Sequence, residues 1–185
     1  MAVIAAASLS MSAAGAPRKP FSRAAPRRAS IAVMPFVDTL TSGSAITALG
    51  LHALQHRGQE AVGITSYDGH EFLSVRGTGH VAENFSTQES LAGLPGIMAA
   101  GHVRYSTTGG AGLRNVQPLY ADLAAGGFAV AHNGNISNAR TLRDELVRKG
   151  AIFQSTSDTE VIIHLVATST YQTLLDRLTD ALNQV

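Results

Sequence analysis

Apolar residues recur along this chain at two spacings, and the change from one to the other divides it into elements. Ser44 to His56 repeats at helical spacing, with Ile46, Leu49, Leu51 and Leu54 forming an apolar stripe, and Gly58 after Arg57 predicts its C-terminal cap. Ala61–Tyr67 and Glu71–Arg76 then read as two strands joined at Asp68-Gly69, a dipeptide suited to a tight hairpin. Ser86-Thr-Gln-Glu89 has the form of a capping box and predicts a short helix before Leu94-Pro95. Gly96 to Arg104 is small and apolar, as a buried strand would be.

Gln117–Ala124 and Phe128–Ala131 predict another hairpin, turning at Gly126-Gly127. The apolar run ends in the polar turn His132 to Asn135, after which Asn and Ser open a helical pattern. Ala139–Lys149 follows as a helix with Leu142, Leu146 and Val147 inward and Gly150 as its stop, and Ile152–Gln154 reads as a short strand. Ser157-Asp-Thr-Glu160 predicts a second capping box ahead of the apolar helix Val161–Ala167. Leu174, Leu175, Leu178 and Leu182 stripe a last amphipathic helix. A helix, a block of strands and then helices predict an α+β layered domain.

At 185 residues the chain suffices for one domain with a substantial core. Aromatic residues are 5% of it and Trp is absent, so small-residue packing is expected. The net charge of +1 hides an asymmetry: residues 1–35 hold Arg18, Lys19, Arg23, Arg27 and Arg28 with no acid, leaving nine basic against thirteen acidic residues in the remainder. Basic charge confined to a tail argues against nucleic acid as a partner. That tail, residues 1–34, is rich in Ala, Ser, Arg and Pro, the composition of a transit peptide or of a disordered tail, so the domain is expected over 35–185. A plastid is the expected destination, with mitochondrion or cytoplasm as alternatives. No apolar run reaches membrane-spanning length, so no membrane partner is expected. The absence of cysteine excludes disulfides, thiolate metal sites and a cysteine nucleophile in this chain.

Three positions carry candidate chemistry. Asn133 and Gly134, at a strand end, offer a side-chain amide and a backbone N–H that can face one developing negative charge, as acyl transfer from an amide requires. Equally, they suit a turn in which both residues only supply unusual backbone angles. Arg104 ends a strand and offers a bidentate fork to a carboxylate, or an internal salt bridge. Asp158, in the first turn of a helix, favours the helix dipole and can equally hold an ammonium. His52 and His56 are four apart, but without the intervening Glu of a zinc protease motif they fit core and cap roles, and no metal is expected.

Five stretches occur in the order of one family: Ala53-Leu-Gln-His-Arg57-Gly58-Gln-Glu-Ala-Val-Gly-Ile64, Gly101-His-Val-Arg104-Tyr-Ser-Thr-Thr-Gly109, Asn115-Val-Gln-Pro118, His132-Asn-Gly-Asn135 and Ser155-Thr-Ser-Asp-Thr-Glu160. They resemble the glutaminase domain of the amidophosphoribosyltransferase family, over roughly Ala45 to Val185. The resemblance implies a four-layer αββα sandwich of the N-terminal-nucleophile hydrolase type, with glutamine as the partner. It implies that Arg104 binds the α-carboxylate of glutamine and Asp158 the α-amino group. Asn133 and Gly134 would form the oxyanion hole, and Arg57 and Gly58 would support the nucleophile.

The family's nucleophile is a cysteine at the mature N-terminus, expected near Ser30 to Val33. The sequence there is Ser-Ile-Ala-Val, so the first strand with its nucleophile is expected to be missing. The phosphoribosyltransferase half is expected to be missing as well. With it would go the magnesium it uses, leaving no cofactor in this chain, and a homo-oligomer built through that half. The reaction implied is hydrolysis of glutamine to glutamate and ammonia for phosphoribosylamine formation in purine synthesis, inactive here for want of the cysteine. The alternatives are a catalytically dead glutamine-binding or regulatory module, or another class II glutamine amidotransferase.

Overall fold

The computed structural model describes residues 2–7, 30–31, 42–105, 112–124 and 126–185. Its elements in order are β1 (Ala2–Ala7), β2 (Ser30–Ile31), α1 (Gly43–Ala53), β3 (Ala61–Tyr67), β4 (Phe72–Thr78), α2 (Val81–Phe85), α3 (Gln88–Ala92), β5 (Met98–Arg104), β6 (Leu119–Leu123), β7 (Gly126–Asn133), α4 (Ala139–Arg148), α5 (Thr159–Thr168) and α6 (Leu174–Leu182). One sheet has the order β2-β1-β7-β6 and the other β4-β3-β5. All pairings are antiparallel except β1 with β2.

Alternation along the strands builds four layers. Val62 and Ile64 of β3 turn to α1 and α2, forming a core with Ala48, Leu51, Val81, Phe85 and Leu94. Phe128 and Val130 of β7 turn the other way, into a larger core with Leu146 of α4, Val161, Ile162 and Val166 of α5, and Leu174, Leu178 and Ala181 of α6. The faces between the sheets hold the residues in between: Ala61, Gly63 and Thr65 on β3, Ala100 on β5, Ala129 and Ala131 on β7. These small side chains let the sheets meet closely, as the Ala- and Gly-rich composition foretold. A Cβ on Gly63 would lie 2.3 Å from the Gln117 carbonyl oxygen.

Local chemistry explains the boundaries. Asp68 Oδ1 accepts from the N–H groups of His70 (2.8 Å) and Glu71 (2.9 Å), and Gly69 takes φ +105°, which closes the β3–β4 hairpin. After α4, Gly150 adopts φ +96°; its N–H reaches the Val147 carbonyl and that of Ala151 reaches Leu146, the paired bonds of a Schellman stop. The short helix after Phe85 is capped by Thr87 with Ser90, not by Ser86 with Glu89. Helix α2, capped by His80 and Glu83, is an element the apolar pattern does not show.

Several predicted features are corrected. Ile152–Gln154 is not a strand, and Ile152 lies in solvent. Leu49, Leu54, Val147 and Leu175 are exposed, because each helix buries a face narrower than its stripe: α1 presents Gly43, Ser44, Ala48 and Leu51 instead. Gly58 is extended at φ −173° and caps nothing in the left-handed region. Its smallness serves a close approach: a Cβ there would sit 2.7 Å from the carbonyl carbons of Val103 and Arg104. His52 and His56 are exposed rather than in the core.

The first 34 residues, read from sequence as a tail beyond the domain, contribute two short strands. Ala2–Ala7 lies in the sheet along the whole of β7, from Ala2 opposite Asn133 to Ala7 opposite Phe128. Ser30–Ile31 sits on the far side of β1. Ser30, near the position expected for the nucleophile, is therefore two strand spacings, ~10 Å, from Asn133. The basic residues of the tail lie outside the described residues.

Candidate functional site

The carboxyl ends of β5 and β7 open together into a cavity of about 580 Å³, lined among others by Arg57, Arg104, Asn133, Gly134 and Asp158. Of the six candidate residues, Gly58 alone does not line it. It lies directly behind, packed on the backbone of Val103 and Arg104. Arg104 is buried at 7% exposure, on the same inter-sheet face of β5 as Ala100 and His102. Its carbonyl accepts from Glu60 N–H (3.1 Å), which fixes the end of β5 against the start of β3. Ser106 to Gly109, the hydroxyl run after Arg104, lies outside the described residues.

Asn133 is the last residue of β7, and Gly134 turns the chain away at φ +152°, an angle open chiefly to glycine. One surrounding bond is set by a side chain acting as backbone. β6 pairs with β7 only from Leu119, opposite Val130, and Pro118 has no N–H to carry the ladder further. There the Gln117 amide takes over, accepting from His132 N–H (2.6 Å) through Oε1 and donating to its carbonyl (3.4 Å) through Nε2. On its other side, across the sheets, Asn133 Oδ1 meets His102 Nε2 at 2.9 Å.

Asp158 begins α5 without capping it; its Oδ2 instead accepts the Ile136 N–H (2.9 Å), tying α5 to the turn after Gly134. The predicted capping box is replaced by a longer loop. The buried Glu160 carboxylate accepts from Gln154 N–H (2.7 Å), Ser155 N–H (2.7 Å) and Ser155 Oγ (2.6 Å). Arg143 of α4 donates to the carbonyls of Ser155 and Ser157 and lies 3.9 Å over the Phe153 ring. Asn115 closes the loop through Thr156, accepting its N–H and donating to its hydroxyl. Asp158, whose loop is held this way, has Oδ2 bonded to the protein and Oδ1 available to a cation in the cavity.

Burial holds the imidazoles of His102 and His132 below their ordinary pKa. Arg104 and His132 push His102 the same way, and Asp158 partly opposes the shift at His132. The site at neutral pH thus combines cationic Arg57 and Arg104, anionic Asp158 and neutral amides and imidazoles. Sequence reasoning missed His102, Gln117, Glu160 and Arg143. Asn115, Gln117 and Glu160 stand in the quoted motifs, yet their roles depend on partners up to 41 residues away. Among the described residues, no group of three His, Asp or Glu side chains could hold a metal ion.

Comparison with known proteins bears on this arrangement. The glutamine amidotransferase domain family matches residues 102–181. The amidophosphoribosyltransferase of Lacticaseibacillus casei is 48% identical over 144 residues, which are 78% of this chain and 74% of that protein. The chain belongs to the amidophosphoribosyltransferase family. The Rhizobium etli amidophosphoribosyltransferase is 55% identical over 142 residues, and the chloroplastic one of Vigna aconitifolia 51% over 138. These cover 77% and 75% of this chain, which spans less than a third of either relative, 29% and 28%. The structure of glutamine phosphoribosylpyrophosphate amidotransferase from B. subtilis, complexed with ADP and GMP, superimposes with a TM-score of 0.70 at 42% identity, covering 77% of this chain and 31% of that one. The αββα sandwich is accordingly the N-terminal-nucleophile hydrolase fold of the amidophosphoribosyltransferases.

Proposed function

We propose that this chain is the glutamine-recognising part of an amidophosphoribosyltransferase, and that as it stands it binds glutamine without cleaving it. The observation that carries this is a single cavity in which Arg104 of β5, Asn133 and Gly134 at the end of β7, and Asp158 at the start of α5 converge. A free amino acid carries one carboxylate and one ammonium. Arg104 offers the fork for the first and Asp158 the free oxygen for the second. The side-chain amide of Asn133 and the N–H of Gly134 then await the γ-carbonyl, where negative charge develops during acyl transfer. Arg57 stands at the rim, and Gly58 fixes the end of β5 that carries Arg104.

Cleavage needs a nucleophile. In this family a cysteine thiolate would attack Cδ, the carbon of the side-chain amide, and the carbonyl oxygen would take the charge. The protonated nitrogen would leave as ammonia with a thioester formed, and water would then release glutamate from the thioester. The chain contains no cysteine, which leaves recognition without the covalent step. A catalytically silent glutamine-binding module is the reading this absence favours. A plastid is the proposed location, on the composition of residues 1–34 and the chloroplastic relative.

Titration calorimetry with L-glutamine tests the proposal. Wild type binds; Arg104→Ala loses about 2 kcal/mol, the scale of a hydrogen bond to a charged group, and Asn133→Ala loses little because its partner charge forms only in the transition state. Equal losses at the two positions would overturn the assignment of roles.

A further inference from the structure

The Asn133 amide serves an oxyanion only if its nitrogen, and not its oxygen, faces the cavity. Asn133 and His102 belong to different sheets, and the bond between them crosses the sandwich at the mouth of the site. His102 is buried at 8% exposure, and its Nδ1 has no partner. A neutral imidazole carries one proton, and Asn133 Oδ1 has only lone pairs to offer. A proton on Nδ1 would set two lone pairs against each other at 2.9 Å and strand a buried N–H. The proton is therefore on Nε2. The doubly protonated ring, which the Asn133 bond favours, is opposed more strongly by burial, with Arg104 two residues along the same face and His132 acting in the same direction as burial.

We propose that His102 is the positioning residue of this site: its Nε2–H holds Asn133 Oδ1, and so turns the Asn133 Nδ2 donors into the cavity toward a tetrahedral, negatively charged group on the γ-carbon side of an α-amino acid. The ligand-facing half rests on the glutamine reading above; the hydrogen bond and tautomer do not.

Two measurements separate these parts. The first compares L-glutamine with L-2-amino-4-phosphonobutyrate, which carries the same amino-acid head and a tetrahedral anion in place of the amide. His102→Leu removes the donor and lets the amide turn over; phosphonate affinity falls about tenfold, the scale of one net hydrogen bond, while glutamine affinity changes less than threefold. His102→Gln, which restores an N–H donor, recovers most of the loss. A merely structural role would weaken both ligands alike, and that result, or failure of the Gln variant to recover, overturns the proposal. The second is nitrogen-15 NMR of His102 in the wild-type chain at pH 7. The Nε2–H neutral tautomer is expected, and the Nδ1–H tautomer or an imidazolium overturns the proposal whatever the ligands do. If wild type binds neither ligand, the glutamine reading and the ligand-facing half fall together, and the NMR result alone decides the hydrogen bond.

Discussion

Gly58→Ala and Gly50→Ala add the same methyl group to the same short stretch, yet the structure predicts opposite outcomes. Gly58 is in extended backbone that alanine accepts, so no penalty arises from its dihedral angle. The penalty is steric: the new Cβ lies 2.7 Å from the carbonyl carbons of Val103 and Arg104, and backbone within a paired strand cannot swing aside. Overpacking costs about 1–3 kcal/mol, and contacts with rigid backbone place this case at about 3. For a chain of this size that lowers Tm by roughly 6–12 °C. Because the displaced atoms belong to Arg104, glutamine affinity falls with stability. Gly50 lies inside α1, exposed, with nothing within 4 Å of the would-be Cβ. Alanine there gains helix propensity and removes unfolded-state freedom, about 0.5–1 kcal/mol, which raises Tm by roughly 1–4 °C. Circular dichroism melts of the three proteins read both effects. A Gly58→Ala protein as stable as wild type would refute the close approach of Gly58 to β5.

Further expectations follow from the site and the sheet edge. Glu160→Ala strands the Ser155 and Gln154 N–H groups and loosens the loop that presents Asp158, costing about 3 kcal/mol; a urea melt should shift its midpoint by about 1–2 M, and an unchanged midpoint would contradict the network. His102, His132 and His164 are all pushed down by burial, so the unfolded chain binds more protons in mild acid; stability is full above about pH 6.5 and declines as pH falls below it. A denaturation midpoint higher at pH 5 than at pH 7.5 would contradict this. Deleting residues 1–34 removes β1 and β2 and leaves β7 paired with β6. Because these are residues of a removable transit segment, their loss leaves the chain folded with its melting temperature unchanged by calorimetry; aggregation or a markedly lower melt would show instead that β1 belongs to the domain. Ammonia release from glutamine stays at background, and release abolished by Asn133→Ala would mean that another group attacks.

How far the sequence reveals this molecule depends on how local each determinant is. The Asp68-Gly69 hairpin and the Gly150 stop were legible because side-chain oxygens and glycine φ act within three residues. The helical stripes were legible as periodicity but not as faces, since Leu49 and Leu54 differ from Ala48 and Leu51 only in what α1 packs against. Val161 and Leu178 were placed correctly because apolar neighbours surround them in sequence as well as in space. At the site, Arg104 and Asn133 could be found because each ends an apolar run, where a polar side chain must face an opening. His102 could not: it differs from a core histidine only by a bond across two sheets to a residue 31 positions away. Gln117 acts as a surrogate peptide group, a role no propensity encodes. The pairing of Ala2–Ala7 with β7 escaped notice because a short Ala-rich stretch beside a basic tail has the composition of a leader.

A crystal structure of the chain with L-glutamine tests the central claim most directly. The account predicts the α-carboxylate on the Arg104 guanidinium, the α-ammonium on the free oxygen of Asp158, and the γ-carbonyl oxygen within hydrogen-bond distance, about 3 Å, of Asn133 Nδ2 and Gly134 N–H, with the amide intact. Glutamine bound with its head group turned away from Arg104 and Asp158, or bound outside this cavity, would contradict it.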